Sequence, residues 1–194
     1  TRSARSRGRR NGSGRGSTRH LLRLIVVLAA LSGTLVPRVA SGFSAKAVTG
    51  GSLHTCAVTT EGVVRCWGAN WGGQLGDGTN VSRLTPVAVS PRLPALDVTA
   101  ITAGDGHTCA LTREGAVWCW GDNRSGQLGD GTTETRVTPV WVSSLSGSVV
   151  VAIAASSCNT CAVTSAGAAL CWGANRSGQL GDGTTEPRFT PGPG

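Results

Sequence analysis

Seven cysteines carry most of the chemistry open to this chain of 194 residues, and six of them stand in pairs at one spacing: Cys56 with Cys66, Cys109 with Cys119, and Cys161 with Cys171. Paired thiols can ligate zinc, cycle between dithiol and disulfide, or cross-link the chain. A separation of ten positions in each pair suits tetrahedral zinc poorly. Other chemistry is thinly represented. No HExxH or GxSxG string occurs, and the single lysine, Lys46, follows no glycine-rich turn, which excludes P-loop nucleotide chemistry. Asp77, Asp130 and Asp182 sit in Asp-Gly turn signatures, and one carboxylate per roughly fifty residues is too few for a Ca²⁺ site. No catalytic, cofactor-binding or metal-binding residue is assigned.

The elements carrying the thiols decide between the remaining uses. Residues 108–112 and 116–120 are short runs that read as strands, joined by Arg113-Glu114-Gly115, whose glycine suits the left-handed position of a type I turn with a bulge. Cys109 and Cys119 are symmetric about Glu114, so the hairpin sets them opposite each other, on one face, at disulfide distance. Leu111 and Val117 share that face, as do Val58 with Val64 and Val163 with Ala169, and the bridges are expected inside apolar core. This is architecture rather than redox catalysis. Closing so short a loop contributes roughly 2–3 kcal/mol in the chain-entropy model, and such bonds persist where the surroundings are oxidising. Residues 98–103 before the hairpin and 137–142 after a glycine-rich loop complete four short strands.

The unit is repeated. Trp67-Gly-Ala-Asn-Trp-Gly-Gly-Gln-Leu-Gly-Asp-Gly-Thr79 recurs with small changes from Trp120 to Thr132 and from Trp172 to Thr184, at offsets of 53 and 52 residues. Four strands in each ~50-residue unit describe a propeller blade. The expected fold is all-β: about three blades of four antiparallel strands, over repeats near 47–99, 100–151 and 152–194. His54 and His107 are matched by Asn159 in the third copy, so a hydrogen-bonding role is expected rather than proton transfer. Cys158 takes the place of Leu53 and Gly106 and has no partner in the repeat scheme. Asn80-Val-Ser, Asn123-Arg-Ser and Asn175-Arg-Ser fit the glycosylation acceptor pattern.

His-Thr-Cys-Ala-Leu, a hairpin glycine, then Trp-Gly-x-Asn-x-x-Gly-Gln-Leu-Gly-Asp-Gly-Thr resembles the regulator of chromosome condensation repeat over roughly residues 47–191. The resemblance implies β-propeller blades of a fold usually built from seven, of which this chain supplies a partial or truncated set. It also implies structural roles for Trp67, Gln74, Gly76, Trp120, Gln127, Gly129, Trp172, Gln179 and Gly181. The residues agree with that: the glycines suit turns, and glutamine amides can bond nearby backbone. The cysteine pair in every copy is similar to exported bacterial members and departs from the nuclear type.

Charge separates the chain into two parts. Residues 1–23 hold eight arginines and no acid, whereas residues 42–194 hold nine Lys+Arg against ten Asp+Glu, so the formal net charge of +8 belongs to the arm and to Arg38. After the arm come thirteen uncharged residues, 24–36, and small residues before Gly42. Residues 1–41 therefore read as a basic arm with a signal peptide or N-terminal membrane segment, the signal peptide being cleaved after Ser41, with Gly42 as the rival position. At 1.5 Å per residue, thirteen residues span roughly 20 Å of helix, short of the ~30 Å hydrocarbon core.

The leading functional expectation is a secreted, cell-surface or periplasmic non-catalytic scaffold that binds an unidentified protein through variable rim stretches 81–95 and 134–149. Self-association, or a longer gene product, is expected to complete the propeller. Nucleic acid is not expected as a partner, and membrane contact is expected only through the N-terminal segment. The alternative is a guanine-nucleotide exchange factor for a small GTPase, with the arm as a nucleic-acid-binding tail, and it requires reduced thiols.

Overall fold

Short runs of β-branched and apolar residues cut by glycine turns fold as twelve strands among the described residues. The computed structural model describes residues 42–90 and 97–194. The basic arm, apolar run and cleavage position, all within 1–41, lie outside the described residues, as do positions 91–95 of the first variable stretch. The strands are β1 (Ala45–Gly50), β2 (His54–Thr59), β3 (Val64–Gly68) and β4 (Arg83–Ala88); β5 (Val98–Ala103), β6 (His107–Thr112), β7 (Val117–Gly121) and β8 (Arg136–Trp141); and β9 (Val150–Ser156), β10 (Asn159–Thr164), β11 (Ala169–Gly173) and β12 (Arg188–Pro193). Each group of four makes its own antiparallel sheet with neighbours in chain order. Three four-stranded meanders of this kind are propeller blades. A single 3₁₀ turn, Ser143–Leu145, is the only helix among the described residues.

The hairpins set the cysteine register. Gly115 has φ of +80° and its N–H donates to the Thr112 carbonyl at 3.0 Å, while the Thr112 N–H reaches Ala116 at 3.0 Å, leaving 113–115 as the loop. Cys109 then pairs with Cys119, as Cys56 does with Cys66 and Cys161 with Cys171. Each pair is bonded, with Cα atoms 4.1 Å apart.

The core lies between sheets rather than within them. Cys56, Val58, Val64, Cys66 and Leu75 of the first sheet pack on Val98, Ala110 and Trp120 of the second. Cys109, Leu111, Val117, Cys119 and Leu128 of the second pack on Val150, Ala162 and Trp172 of the third. All six residues of β6 are buried because both faces of the middle sheet are covered, as for a strand inside a stack. In β10 burial alternates. The expectation of an apolar shell around every bridge therefore fails in the third sheet: Val163 is 40% exposed, Ala169 is exposed, and Cys161 and Cys171 are half-buried. The reason is that among the described residues no further sheet lies against that face.

A shared carbonyl acceptor recurs among the polar contacts that join each sheet to the next. The Gln74 carbonyl accepts hydrogen bonds from Thr108 Oγ1 and Trp120 Nε1, both at 2.9 Å, and the Gln127 carbonyl accepts from Thr160 Oγ1 and Trp172 Nε1 at the same distance. Because the threonine proton is used on the carbonyl, His54 Nε2–H donates to Thr108 Oγ1 at 2.9 Å, and His107 Nε2–H to Thr160 Oγ1 at 2.9 Å. Nδ1 of each ring is then a buried acceptor without a partner among the described residues. A proton there would bring charge and an unsatisfied N–H into the interface. Desolvation accordingly lowers both histidines to pKa about 4; at His107 the His54 ring adds to the effect and Asp105 opposes it.

The indole of the next sheet lies over a glycine. A Cβ on Gly129 would stand 2.6 Å from Trp172 Nε1, and one on Gly76 2.7 Å from Trp120 Nε1. Gly181 occupies the same turn position, with φ of +75° against +72° at Gly129, yet its nearest contact is an ordinary 3.7 Å. Gly181→Ala should destabilise by about 1 kcal/mol from the positive φ alone, and Gly129→Ala by a further ~1–3 kcal/mol from the collision with the indole, as read by urea unfolding of the oxidised protein; equal losses would mean that the indole does not seat there. The unfolded histidines bind protons from pH 6.5 downward while the folded ones resist until about 4, so stability should fall as pH drops through that window, by on the order of 3 kcal/mol per ring. His107→Asn, the amide found in the third copy, should remove about half of the slope; a flat profile between pH 4 and 6.5 would show the rings to be hydrated.

Candidate functional site

The Trp-led string folds into one compact turn three times. Asn70 is fully buried: its Nδ2 donates to Asp77 Oδ1 at 3.1 Å and to the Thr79 carbonyl at 2.9 Å, and its Oδ1 receives the Leu75 N–H at 2.9 Å. Asn123 and Asn175 repeat those bonds with Asp130, Thr132 and Leu128, and with Asp182, Thr184 and Leu180. The glutamine side chains close the turn start, Gln74 Oε1 accepting from Gly72 N–H, Gln127 from Ser125 and Gln179 from Ser177, each at 2.9 Å.

Each turn is tied to the outer strand by an ion pair. Arg83 reaches Asp77 at 2.8 Å, Arg136 reaches Asp130 at 3.0 Å and Arg188 reaches Asp182 at 2.8 Å. Desolvation raises the Asp77 and Asp130 carboxyls, but hydrogen bonds from Thr79 and Arg83, and from Thr132, Arg136 and Asn123, outweigh it and hold both below the ordinary range. These aspartates are committed to the turn.

The residues expected from the sequence divide by position in the stack. Trp120 and Trp172 are fully buried under the preceding turn, whereas Trp67 is half-buried with the Phe43 ring edge-on at 6.3 Å. The carbonyls of Gln74 and Gln127 carry the inter-sheet bonds. Gly76 and Gly129 lie beneath indoles and Gly181 does not. Neither described histidine in the interface reaches solvent, since His54 is 3% and His107 0% exposed. Cys158 is half-buried, its Sγ 3.7 Å from Ser157 Oγ. Of the acceptor patterns, Asn123 and Asn175 are buried in their turns and only Asn80 is exposed.

The sequence reading missed the buried asparagines, the Asp–Arg pairs and the interface threonines. A signal existed for each: Asn three positions after every Trp of the turn, Arg six after every turn Asp, and Thr before the first Cys of every copy. No group of three or more metal-ligating side chains occurs among the described residues. No helix among them is long and apolar enough to cross a membrane.

What these turns leave free is a rim. Where the first and second sheets meet, a cleft of about 300 Å³ is lined by Leu53 and Trp71 of one sheet and by Asp105, Asp122 and Arg124 of the next. Leu53 and Trp71 are 60% and 72% exposed. The arrangement offers an aromatic face, an aliphatic surface and carboxylates, which is binding chemistry.

Comparison with known proteins agrees with the geometry. Two family models, both described as regulator of chromosome condensation (RCC1) repeat, each match three times, one at residues 45–74, 98–127 and 150–179, the other at 61–111, 114–163 and 166–193. The chain is 35% identical to the ultraviolet-B receptor UVR8 of Arabidopsis thaliana over 150 residues, covering 77% of this chain and 34% of the receptor. Among solved structures, human WBSCR16 superposes with a TM-score of 0.70 at 22% identity, over 78% of this chain and 38% of that one. Prp20p of Saccharomyces cerevisiae gives 0.67 at 22% identity, over 77% and 38%. The chain thus spans about a third of the length of each of these three relatives, and with three matched repeats and three matching sheets it belongs to the regulator of chromosome condensation repeat family.

Proposed function

We propose that the chain is an exported, non-catalytic scaffold that binds another protein through its rim. The observation that carries the reading is the cross-strand disulfide present in every sheet. Three such bonds survive where glutathione and thioredoxin do not reach, and a small-GTPase exchange factor working in the cytosol would hold the same positions as thiols. The basic, then apolar, then small-residue order of 1–41 supports the same compartment as a secretory signal.

Binding rather than catalysis is supported by how the polar residues are spent. The turn aspartates are paired with arginines, the asparagines with turn backbone, and the histidines with interface threonines. Side chains left on the rim, Trp71 above all, are of the kind that anchors protein interfaces. The Prp20p structure is titled for its binding properties to Gsp1p and histones, and that description belongs to Prp20p.

The experiment is intact mass spectrometry of protein exported from a host with its own N-terminus in place. The expected product begins at Gly42 and gains about six daltons on reduction, two for each of three bridges. A product that keeps residues 1–41, or that gains nothing, overturns the exported reading in favour of a reduced compartment.

A further inference from the structure

One side chain in each turn takes no part in building it. Trp71, Arg124 and Arg176 are equivalent in the repeat, and the bonds that close the turns come from the neighbouring Asn, Gln, Asp and Thr. Arg124 is 87% exposed although a sheet stands on either side of its own, so the exposure belongs to the turn position itself. Trp71 is thus a large aromatic held in water at a place where both counterparts are arginine. The fold gains nothing from it there, since its apolar surface is left unburied.

The surroundings of Trp71 define what could cover it. Leu53 lines the same cleft, and the second sheet contributes Asp105 and Asp122. Asp105 Oδ2 accepts from Ser157 Oγ of the third blade at 2.5 Å and Asp122 Oδ2 from Gln127 Nε2 of its own blade at 3.2 Å, so both carboxylates are held in place. The cation facing them is Arg124, which meets Asp122 Oδ1 through one 3.5 Å contact with its guanidinium largely in solvent. A contact of that kind is worth under about 1 kcal/mol and yields to competition. Two placed carboxylates against one loosely held guanidinium leave the cleft negative.

We propose that this cleft binds an arginine side chain of a protein partner. Its guanidinium stacks on the Trp71 indole and pairs with Asp105 and Asp122 as Arg124 swings away, while its methylene stem lies along Leu53. Arginine is favoured over lysine because a planar fork suits both an aromatic face and a carboxylate, and is more weakly hydrated than an ammonium. The proposal rests on the protein-binding reading above and names the chemistry of its partner.

The test is titration of the oxidised protein with the peptide acetyl-Gly-Arg-Gly-amide, followed by the Trp71 indole N–H signal in ¹H–¹⁵N spectra, with the Lys and citrulline peptides as comparison. The indole signal should shift in a saturable way with the Arg peptide, with about tenfold weaker response to citrulline and an intermediate one to Lys. Trp71→Arg, which installs the residue of the other two copies and so keeps the turn, should abolish the shifts at Leu53 and Gly106, and Asp105→Asn should weaken binding severalfold. No shift, or equal shifts with Arg and citrulline, overturns the proposal. A bridged protein processed at Gly42 that ignores the Arg peptide defeats the cleft alone. An Arg response in a protein that keeps 1–41 and free thiols defeats the exported reading and leaves the cleft standing.

Discussion

A single carbonyl organises each junction between sheets. Gln74 O, and again Gln127 O, receives a threonine hydroxyl and an indole N–H from the sheet that follows. Both donors are buried, and a buried indole or hydroxyl without an acceptor would carry a desolvation cost of about 1–3 kcal/mol. The carbonyl must therefore sit at one place, and much of the turn serves to put it there: the Asn side chain gathers the turn backbone, the Gln amide closes its start, and the Asp–Arg pair ties it to the outer strand. The glycine below the indole is required because any Cβ would occupy the space of the ring. Repetition of one arrangement at 52- and 53-residue offsets is what makes successive sheets stack in the same way.

The disulfides act at a different level. They lie within sheets, across the central hairpin, and hold β2 to β3, β6 to β7 and β10 to β11. Each hairpin is short and glycine-turned, and a four-stranded sheet gains little alone until a neighbour covers its apolar face. A covalent tie in every copy offsets that weakness. The first two bridges are buried in the inter-sheet core while the third is half-buried, and this difference follows from which faces are covered rather than from any difference in the hairpins.

Strand number, hairpin loops and cysteine register were legible because they depend on local patterns: period-two apolar residues, a turn glycine, and symmetry about Glu114. The strands read at 108–112, 116–120 and 137–142 lie within one residue of β6, β7 and β8 at their ends. The repeat made Trp120, Gln127 and Gly129 stand out as important but not as parts of a shared contact, since the Gln acceptor is main chain and leaves no trace in residue type. Thr108 was passed over for the same reason, being an ordinary strand threonine until the next sheet is in place. Trp71 was visible only as a departure from the repeat, and its exposure depended on how the turn folds. The exposed face of the third sheet was hidden because burial is a property of neighbours, and Val163 has the same pattern as Val58.

The most direct measurement is hydrogen exchange at the tryptophan indoles in the oxidised protein. If the Gln carbonyls fasten each sheet to the next, Trp120 and Trp172 Nε1–H should exchange only with global unfolding, while those of Trp71 and Trp141, exposed by 72% and 45%, exchange at rates near those of free indole. Fast exchange at Trp120 and Trp172 in a folded, disulfide-bonded chain would contradict the inter-sheet bond on which the stacking depends.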